Sequence, residues 1–130
     1  LLAPFGIYPG RVKLWGSGSP LREFLWSEDM ADASVHILLN VDFRDLCPEG
    51  KEIRNCHVNI GTGKELTIRA LAELIGKVTD YQGVIEWDST KPDGTMRKLT
   101  SVEKLHSLGW HHTVEIEDGV QRLFSWYLQH

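Results

Sequence analysis

From Trp15 to Phe24 the chain reads Trp-Gly-Ser-Gly-Ser-Pro-Leu-Arg-Glu-Phe. Two glycines let a backbone come close to a ligand and turn N–H groups toward an anion. Arg22 follows the turn, where a planar guanidinium can grip a phosphate through two parallel hydrogen bonds. Each charge-assisted bond of that kind is worth about 1.5–3 kcal/mol. Spacing alone favours the plainer reading, a Gly/Ser hairpin turn with Arg22 in water, although a turn can also be the ligand loop. A second charged stretch runs from Asp88 to Lys98 and contains Lys91-Pro92-Asp93-Gly94. A rigid Pro-Asp-Gly turn could aim Asp93 at ribose hydroxyls while Lys98 supplies a point charge for phosphate. Here too a solvated charged loop is the commoner outcome of such a pattern.

A third stretch, Asn59-Ile60-Gly61-Thr62-Gly63, lacks the G-x-G-x-x-G spacing of a dinucleotide fingerprint and reads as a structural turn. The six histidines form no convincing metal set: His106, His111 and His112 offer no i, i+4 helical pair, and Gly109 interrupts them. Cys47 and Cys56 match no metal or redox spacing. A reduced intracellular chain is the simplest reading of them, and a disulfide closing the loop between them the less common one.

Composition narrows the function classes. The 130 residues carry a net charge of −4, with 14 Lys and Arg scattered rather than striped. That argues against a nucleic-acid surface, which needs clustered cations to displace counterions. No apolar run approaches the length of a membrane span, and a cytoplasmic location is expected. Five Trp are many for this length and suit a core, a ligand wall or a domain interface.

The elements that would position these residues are mixed α and β. Residues 1–10, rich in Pro and Gly, read as an irregular leader, with one domain over 11–130. The chain opens at Leu1 without Met and reads as a piece of something longer. Alternation predicts strands at 11–15, 22–26, 57–61 and 83–88. Helical spacing predicts helices over about 28–41 with Ser27 as cap, 68–79 with Thr67 as cap, 102–108 with Ser101 as cap, and 116–129. Residues 42–56 and 89–97 read as loops. These strands are too few, and in the wrong order, for a complete doubly wound nucleotide-binding domain.

Taken in order, the Trp15–Phe24 run, Glu28-Asp29-Met30-Ala31, Asn59–Gly63, Lys91–Lys98 and Gly109-Trp110 resemble the C-terminal part of the GDP-L-fucose synthase family. These are the GDP-4-keto-6-deoxymannose epimerase/reductases, within the extended short-chain dehydrogenases/reductases. The likeness covers about residues 11–128. The Asn-Ile-Gly-Thr-Gly turn is shared across the wider class; the Trp-Gly-Ser-Gly turn joined to Lys-Pro-Asp-Gly-Thr-x-Arg-Lys is far more specific. The resemblance implies an α/β substrate domain whose partner, an N-terminal Rossmann domain, lies outside this chain and binds NADP. It implies that Trp15 packs in the sugar-nucleotide site, that Arg22 holds the diphosphate, and that Asp93 and Lys98 meet the nucleotide part of a GDP-sugar. The family's Ser-Tyr-Lys set and its epimerisation Cys and His lie upstream, so no catalytic residue and no turnover are expected here. The parent would be a homodimer built largely through the Rossmann part. Met96 stands where some relatives have Pro, and the 42–56 segment is longer and contains Pro48. The rivals are the substrate domain of another nucleotide-sugar enzyme, such as a UDP-galactose 4-epimerase relative, and a non-catalytic nucleotide-sugar-binding module. All of this requires two loops distant in sequence, those of Arg22 and Lys98, to meet in one cationic cleft.

Overall fold

The structure is a computed structural model that describes residues 7–8, 10–47 and 52–130. The elements in chain order are β1 (Ile7–Tyr8), β2 (Arg11–Trp15), β3 (Leu21–Arg22), α1 (Ser27–Asn40), α2 (Phe43–Leu46), β4 (Leu66–Thr67), α3 (Ile68–Val78), β5 (Val84–Asp88), β6 (Arg97–Lys98), α4 (Glu103–Ser107) and α5 (Ile116–Gln129). They fall into two units: residues 1–22, 65–99 and 117–130 form one, residues 23–64 and 100–116 the other.

In the first unit, β2 turns Val12 and Leu14 inward and Arg11, Lys13 and Trp15 outward, the period-2 pattern of a half-buried strand. It pairs in parallel with β5, Arg11 opposite Val84 and Trp15 opposite Asp88. A parallel pair needs a crossover, and α3 lies within it. Thr67 starts that helix as its sequence suggests: the threonine Oγ1 accepts from the Ala70 amide at 3.0 Å. β1 pairs antiparallel with β2. Ile7 and Tyr8 are thus a strand within the expected irregular leader, whose residues 1–6 and 9 lie outside the described residues. A second, very small sheet has the order β4-β3-β6, with two residues per strand.

The second unit has a core of Ala33, Leu105 and Trp110, with Leu25, Ile37, Val58 and Ile60 packed on it. The Trp110 indole N–H donates to Asp32 at 2.8 Å, so the ring is buried without stranding its polar atom. Asp29, in the first turn of α1, is only 4% exposed. It accepts from the Thr113 amide at 3.1 Å, the Thr113 hydroxyl at 2.7 Å and the Val114 amide at 2.9 Å. Burial pushes this carboxyl up, but the Thr113 hydroxyl, the two amides and the His112 charge together hold it below the usual range.

Several expectations change. The strand expected at 22–26 stops at Arg22. Glu23 breaks it, because its carboxylate turns aside to accept from the amides of Thr62, Gly63 and Thr100 at 2.7–3.1 Å. The segment 57–61 joins no ladder; its alternation serves to press Val58 and Ile60 against the core. Helix α1 includes Ser27, and its cap position is Trp26, with no side-chain cap bond. Ser101 likewise caps nothing: α4 begins after Val102. Within the expected loop 42–56, Asp42 and Asp45 form a reciprocal capping box that starts α2; Pro48 lies outside the described residues. Residues 97 and 98 extend the expected strand set as β6.

Candidate functional site

The site grows from the end of β2. Beyond Trp15, Gly16 has φ +81° and Gly18 φ +78°, a backbone region in which a Cβ is strained. Space forbids a side chain as well. A Cβ on Gly16 would stand 2.4 Å from Asp93 Oδ1, and one on Gly18 would stand 2.7 Å from the Trp87 ring. The turn is then tied down on each side. The Gly16 amide donates to Asp88 O at 3.0 Å, the Arg69 amide to Gly18 O at 2.9 Å, and the Ile68 amide to Pro20 O at 3.0 Å. Those last two donors belong to the first turn of α3, where helix amides lack partners within the helix. The Arg69 side chain closes the assembly. Its Nη2 donates to Ser17 O at 2.5 Å while the guanidinium lies 4.5 Å above the Trp87 ring centroid.

Asp93 ties the second loop to the first. Its Oδ1 accepts from the Ser17 amide at 2.8 Å and its Oδ2 from the Ser17 hydroxyl at 2.7 Å. The Ser17 hydroxyl and then the Ser17 amide hold the Asp93 carboxyl below its ordinary value, so these hydrogen bonds are charge-assisted at neutral pH. The start of the same loop is organised by Asp88, whose carboxylate accepts from Thr90 Oγ1 at 2.5 Å and from the Thr90 amide at 3.1 Å. The Thr90 hydroxyl first, and Lys13 at 3.0 Å second, bring the Asp88 carboxyl down to about 2.

With the loops tied, the strands that carry the two cations pair. The Leu21 amide donates to Met96 O at 2.8 Å, and β3 and β6 then run parallel with Arg22 directly opposite Lys98. The Arg22 guanidinium is steadied by its own strand, Nη1 donating to Leu21 O at 2.7 Å. Its Nη2 lies so close to Gly94 that a Cβ there would stand 3.3 Å away. Trp15, Gly18, Pro20, Arg22, Asp93 and Gly94 line an open cavity of about 140 Å³. Trp15 is 75% exposed, with Lys91 Nζ 5.4 Å from its ring centroid. Lys98 is exposed, and its ammonium has no hydrogen bond or ion pair among the described residues. Its neighbour Arg97 is held instead, Nε donating to the two Glu65 oxygens at 2.8 and 3.0 Å.

Three of the four expected site residues, Trp15, Arg22 and Asp93, therefore share one cavity. Lys98 stands beside Arg22 on the next strand, outside the cavity lining. Sequence reasoning missed Arg69, Trp87, Ser17 and Glu65. One signal pointed to Arg69: a cation in the first turn of a helix opposes the macrodipole, so it needs another partner. The Gly61–Gly63 turn is structural. Its amides at Thr62 and Gly63 both go to Glu23 Oε1 at 2.7 Å, leaving no anion cradle. His106 and His111 stack at 4.1 Å between ring centroids, and among the described residues no three metal-ligating side chains cluster.

Comparison with known proteins gives a consistent picture. Residues 6–61 match the NAD dependent epimerase/dehydratase family. The GDP-L-fucose synthase of Escherichia coli K12 is 44% identical over 118 residues, which are 91% of this chain and 36% of that protein. GDP-L-fucose synthase 1 of Arabidopsis thaliana is 49% identical over 91% of this chain and 33% of its own length. Among solved structures, a GDP-D-glycero-L-gluco-heptose synthase from Campylobacter jejuni, determined in the presence of NADPH, superposes with a TM-score of 0.87. It is 35% identical, over 98% of this chain and 36% of that one. The chain thus spans about a third of the length of the relatives it matches.

Proposed function

We propose that this chain is the GDP-sugar-binding part of a GDP-L-fucose synthase, an enzyme that converts GDP-4-keto-6-deoxy-D-mannose to GDP-L-fucose by 3,5-epimerisation and NADPH-dependent reduction. One observation carries the reading beyond the sequence likeness. Arg22 and Lys98, 76 positions apart in the chain, stand opposite each other on adjacent strands beside a Trp-walled cavity. A nucleoside diphosphate presents two adjacent anionic groups, and cations on two neighbouring strands suit such a ligand. Arg22 supplies a forked donor to phosphate oxygens, and Lys98 a mobile point charge. Trp15 gives a flat apolar wall with a polar edge, suited to a sugar or a base. Asp93 uses one lone pair of each oxygen on Ser17, which leaves acceptor capacity for a ribose hydroxyl.

The described residues of this chain do not fit the nicotinamide cofactor. The Gly61–Gly63 turn gives two of its amides to Glu23, and no other Gly-x-Gly turn opens a helix here. NADP would be held by a Rossmann domain within the further length that the relatives have, and that domain would also supply the catalytic groups and the homodimer contacts. No helix among the described residues is long and apolar enough to cross a membrane, which accords with a cytoplasmic enzyme.

Calorimetric titration with GDP, UDP and dTDP tests the reading. GDP is expected to bind best, and Arg22→Gln or Lys98→Gln to weaken it about tenfold or more, the loss of one charge-assisted contact. Equal affinity of both variants and the parent chain would sink the proposal, and preference for UDP would move the chain to a uridine-sugar enzyme.

A further inference from the structure

Ser17 joins the two loops of the site, and its own placement depends on Arg69. It lies between Gly16 and Gly18, both at positive φ, so the backbone on either side of it is the freest to rotate. Toward the ligand cavity, the Ser17 amide and hydroxyl donate to the two oxygens of Asp93. Among the described residues that carboxylate takes both of its hydrogen bonds from Ser17. The Ser17 hydroxyl also accepts from the Ser19 amide at 3.1 Å. The Ser17 carbonyl is held by the Arg69 guanidinium at 2.5 Å, and the Arg69 amide holds the next carbonyl, that of Gly18, at 2.9 Å. Arginine suits this place because its flat face lies 4.5 Å above the Trp87 ring centroid while an edge N–H still donates to Ser17; an ammonium has no such face. A cation in the first turn of α3 works against the helix dipole, so what this residue contributes lies in the loop.

We propose that Arg69 is a positioning residue that sets how strongly the site prefers a ribonucleoside diphosphate over one without ribose hydroxyls. This role rests on the GDP-binding reading above and adds to it the route Arg69–Ser17–Asp93. Without the guanidinium the Ser17–Gly18 peptide can turn, because glycine tolerates either sign of φ. The Ser17 donors then lose their fixed aim, and the carboxylate they hold is no longer pre-organised to accept from a ribose hydroxyl. The phosphate end is tied separately. Arg22 is placed by the β3–β6 pairing and by its bond to Leu21 O, and Lys98 by the same pairing. The loss therefore falls on the ribose contact.

Calorimetric titration of the purified chain with GDP and with 2′,3′-dideoxy-GDP tests this. The parent chain is expected to bind GDP about tenfold more tightly than the dideoxy nucleotide, the worth of one hydrogen bond to a charged acceptor. Asp93→Ala is expected to bind the two equally. Arg69→Met is expected to lower the preference to about threefold, since a mobile acceptor recovers only part of that bond. Adding Arg69→Met to Asp93→Ala should change the preference no further, because the route ends at that carboxylate. Ser17→Ala leaves the Arg69–Trp87 stack in place and should lower the preference as Arg69→Met does, which decides the matter if Arg69→Met does not fold. A merely structural Arg69 would weaken both nucleotides alike and leave the preference at the parent value, and that result in either variant would overturn the role of Arg69. Equal binding of the two nucleotides by the parent chain would overturn it as well. A parent chain that binds no GDP would sink the GDP-binding reading itself, and this role with it.

Discussion

At the scale of single residues, buried and turn carboxylates do much of the positioning. Glu23 shows the physics best. Burial works against its charge, yet the Thr100 side chain and the amides of Gly63, Thr100 and Thr62 outweigh that and hold its carboxyl below the ordinary value. A carboxyl whose folded value is depressed stabilises the fold fully above the unfolded value, about 4.3. That contribution fades as pH falls through the folded value, because protonation removes acceptor capacity from three amides. Glu23→Gln is therefore expected to cost about 2–3 kcal/mol at neutral pH, the worth of hydrogen bonds to a charged group. The gap between variant and parent chain should shrink below pH 4. Urea midpoints measured from pH 3 to 8 check both statements, and a gap that stays constant across that range would mean the charge is not what matters. That role was not visible in the sequence. Glu23 read as one polar residue of a strand, and only the distant amides at 62, 63 and 100 reveal what it does. Arg22 and Asp93 stood out as candidates because their types and turn contexts suit phosphate and ribose, but their sharing of one cavity did not, since nothing local encodes the Ser17–Asp93 link or the β3–β6 pairing.

At the scale of elements, the sequence was clearest where the signal is local. Thr67 before an apolar helical stripe located α3, and the period-2 pattern located β2 and β5. It failed where a short segment borrows its partners from far away. The two-residue strands β3, β4 and β6 have too few side chains for any period, and 57–61 alternates without entering a sheet. The turn between β2 and β3 is the element on which the site depends, and two substitutions separate its parts. Gly18→Ala forces a Cβ toward the Trp87 ring at φ +78°. It is expected to destabilise by about 2 kcal/mol and to loosen the Arg69 stack, weakening GDP along with stability. Thr67→Ala removes the cap of α3 while leaving the turn's own bonds in place, and is expected to cost about 1 kcal/mol with GDP affinity nearly unchanged. Thermal melts and GDP titrations on the two variants distinguish them. If Thr67→Ala lost affinity as Gly18→Ala does, the turn would owe its shape to the helix rather than to its glycines.

At the scale of the whole chain, surface chemistry says how these residues must behave alone. In one unit, Val35, Leu38 and Leu39 of α1 are 53%, 81% and 74% exposed. In the other, Leu123, Trp126, Tyr127 and Leu128 of α5 are 57–70% exposed. That same unit has an almost wholly apolar cleft of about 260 Å³ between the β2–β5 pair and α3, lined by Leu14, Ala72, Ile75, Tyr81 and Ile85 among others. Scattered apolar residues on a surface need no explanation, but runs of them on one helix do. Each square ångström of apolar surface left in water forgoes about 25 cal/mol, so these faces favour any apolar partner, including a second copy. The isolated chain is accordingly expected to brighten an apolar-binding dye and to sediment with a concentration-dependent mass, while the net charge of −4 limits but does not prevent association. It should also form no GDP-L-fucose from the keto-sugar and NADPH, because its described residues offer nicotinamide no site. If the proposed function holds, addition of a polypeptide carrying a Rossmann domain of a GDP-L-fucose synthase should quench the dye and give turnover together, since one act of burial would do both. Dye-silent, strictly monomeric chain would mean these faces are simply wetted surface, and turnover by the chain alone would place the hydride chemistry within these 130 residues.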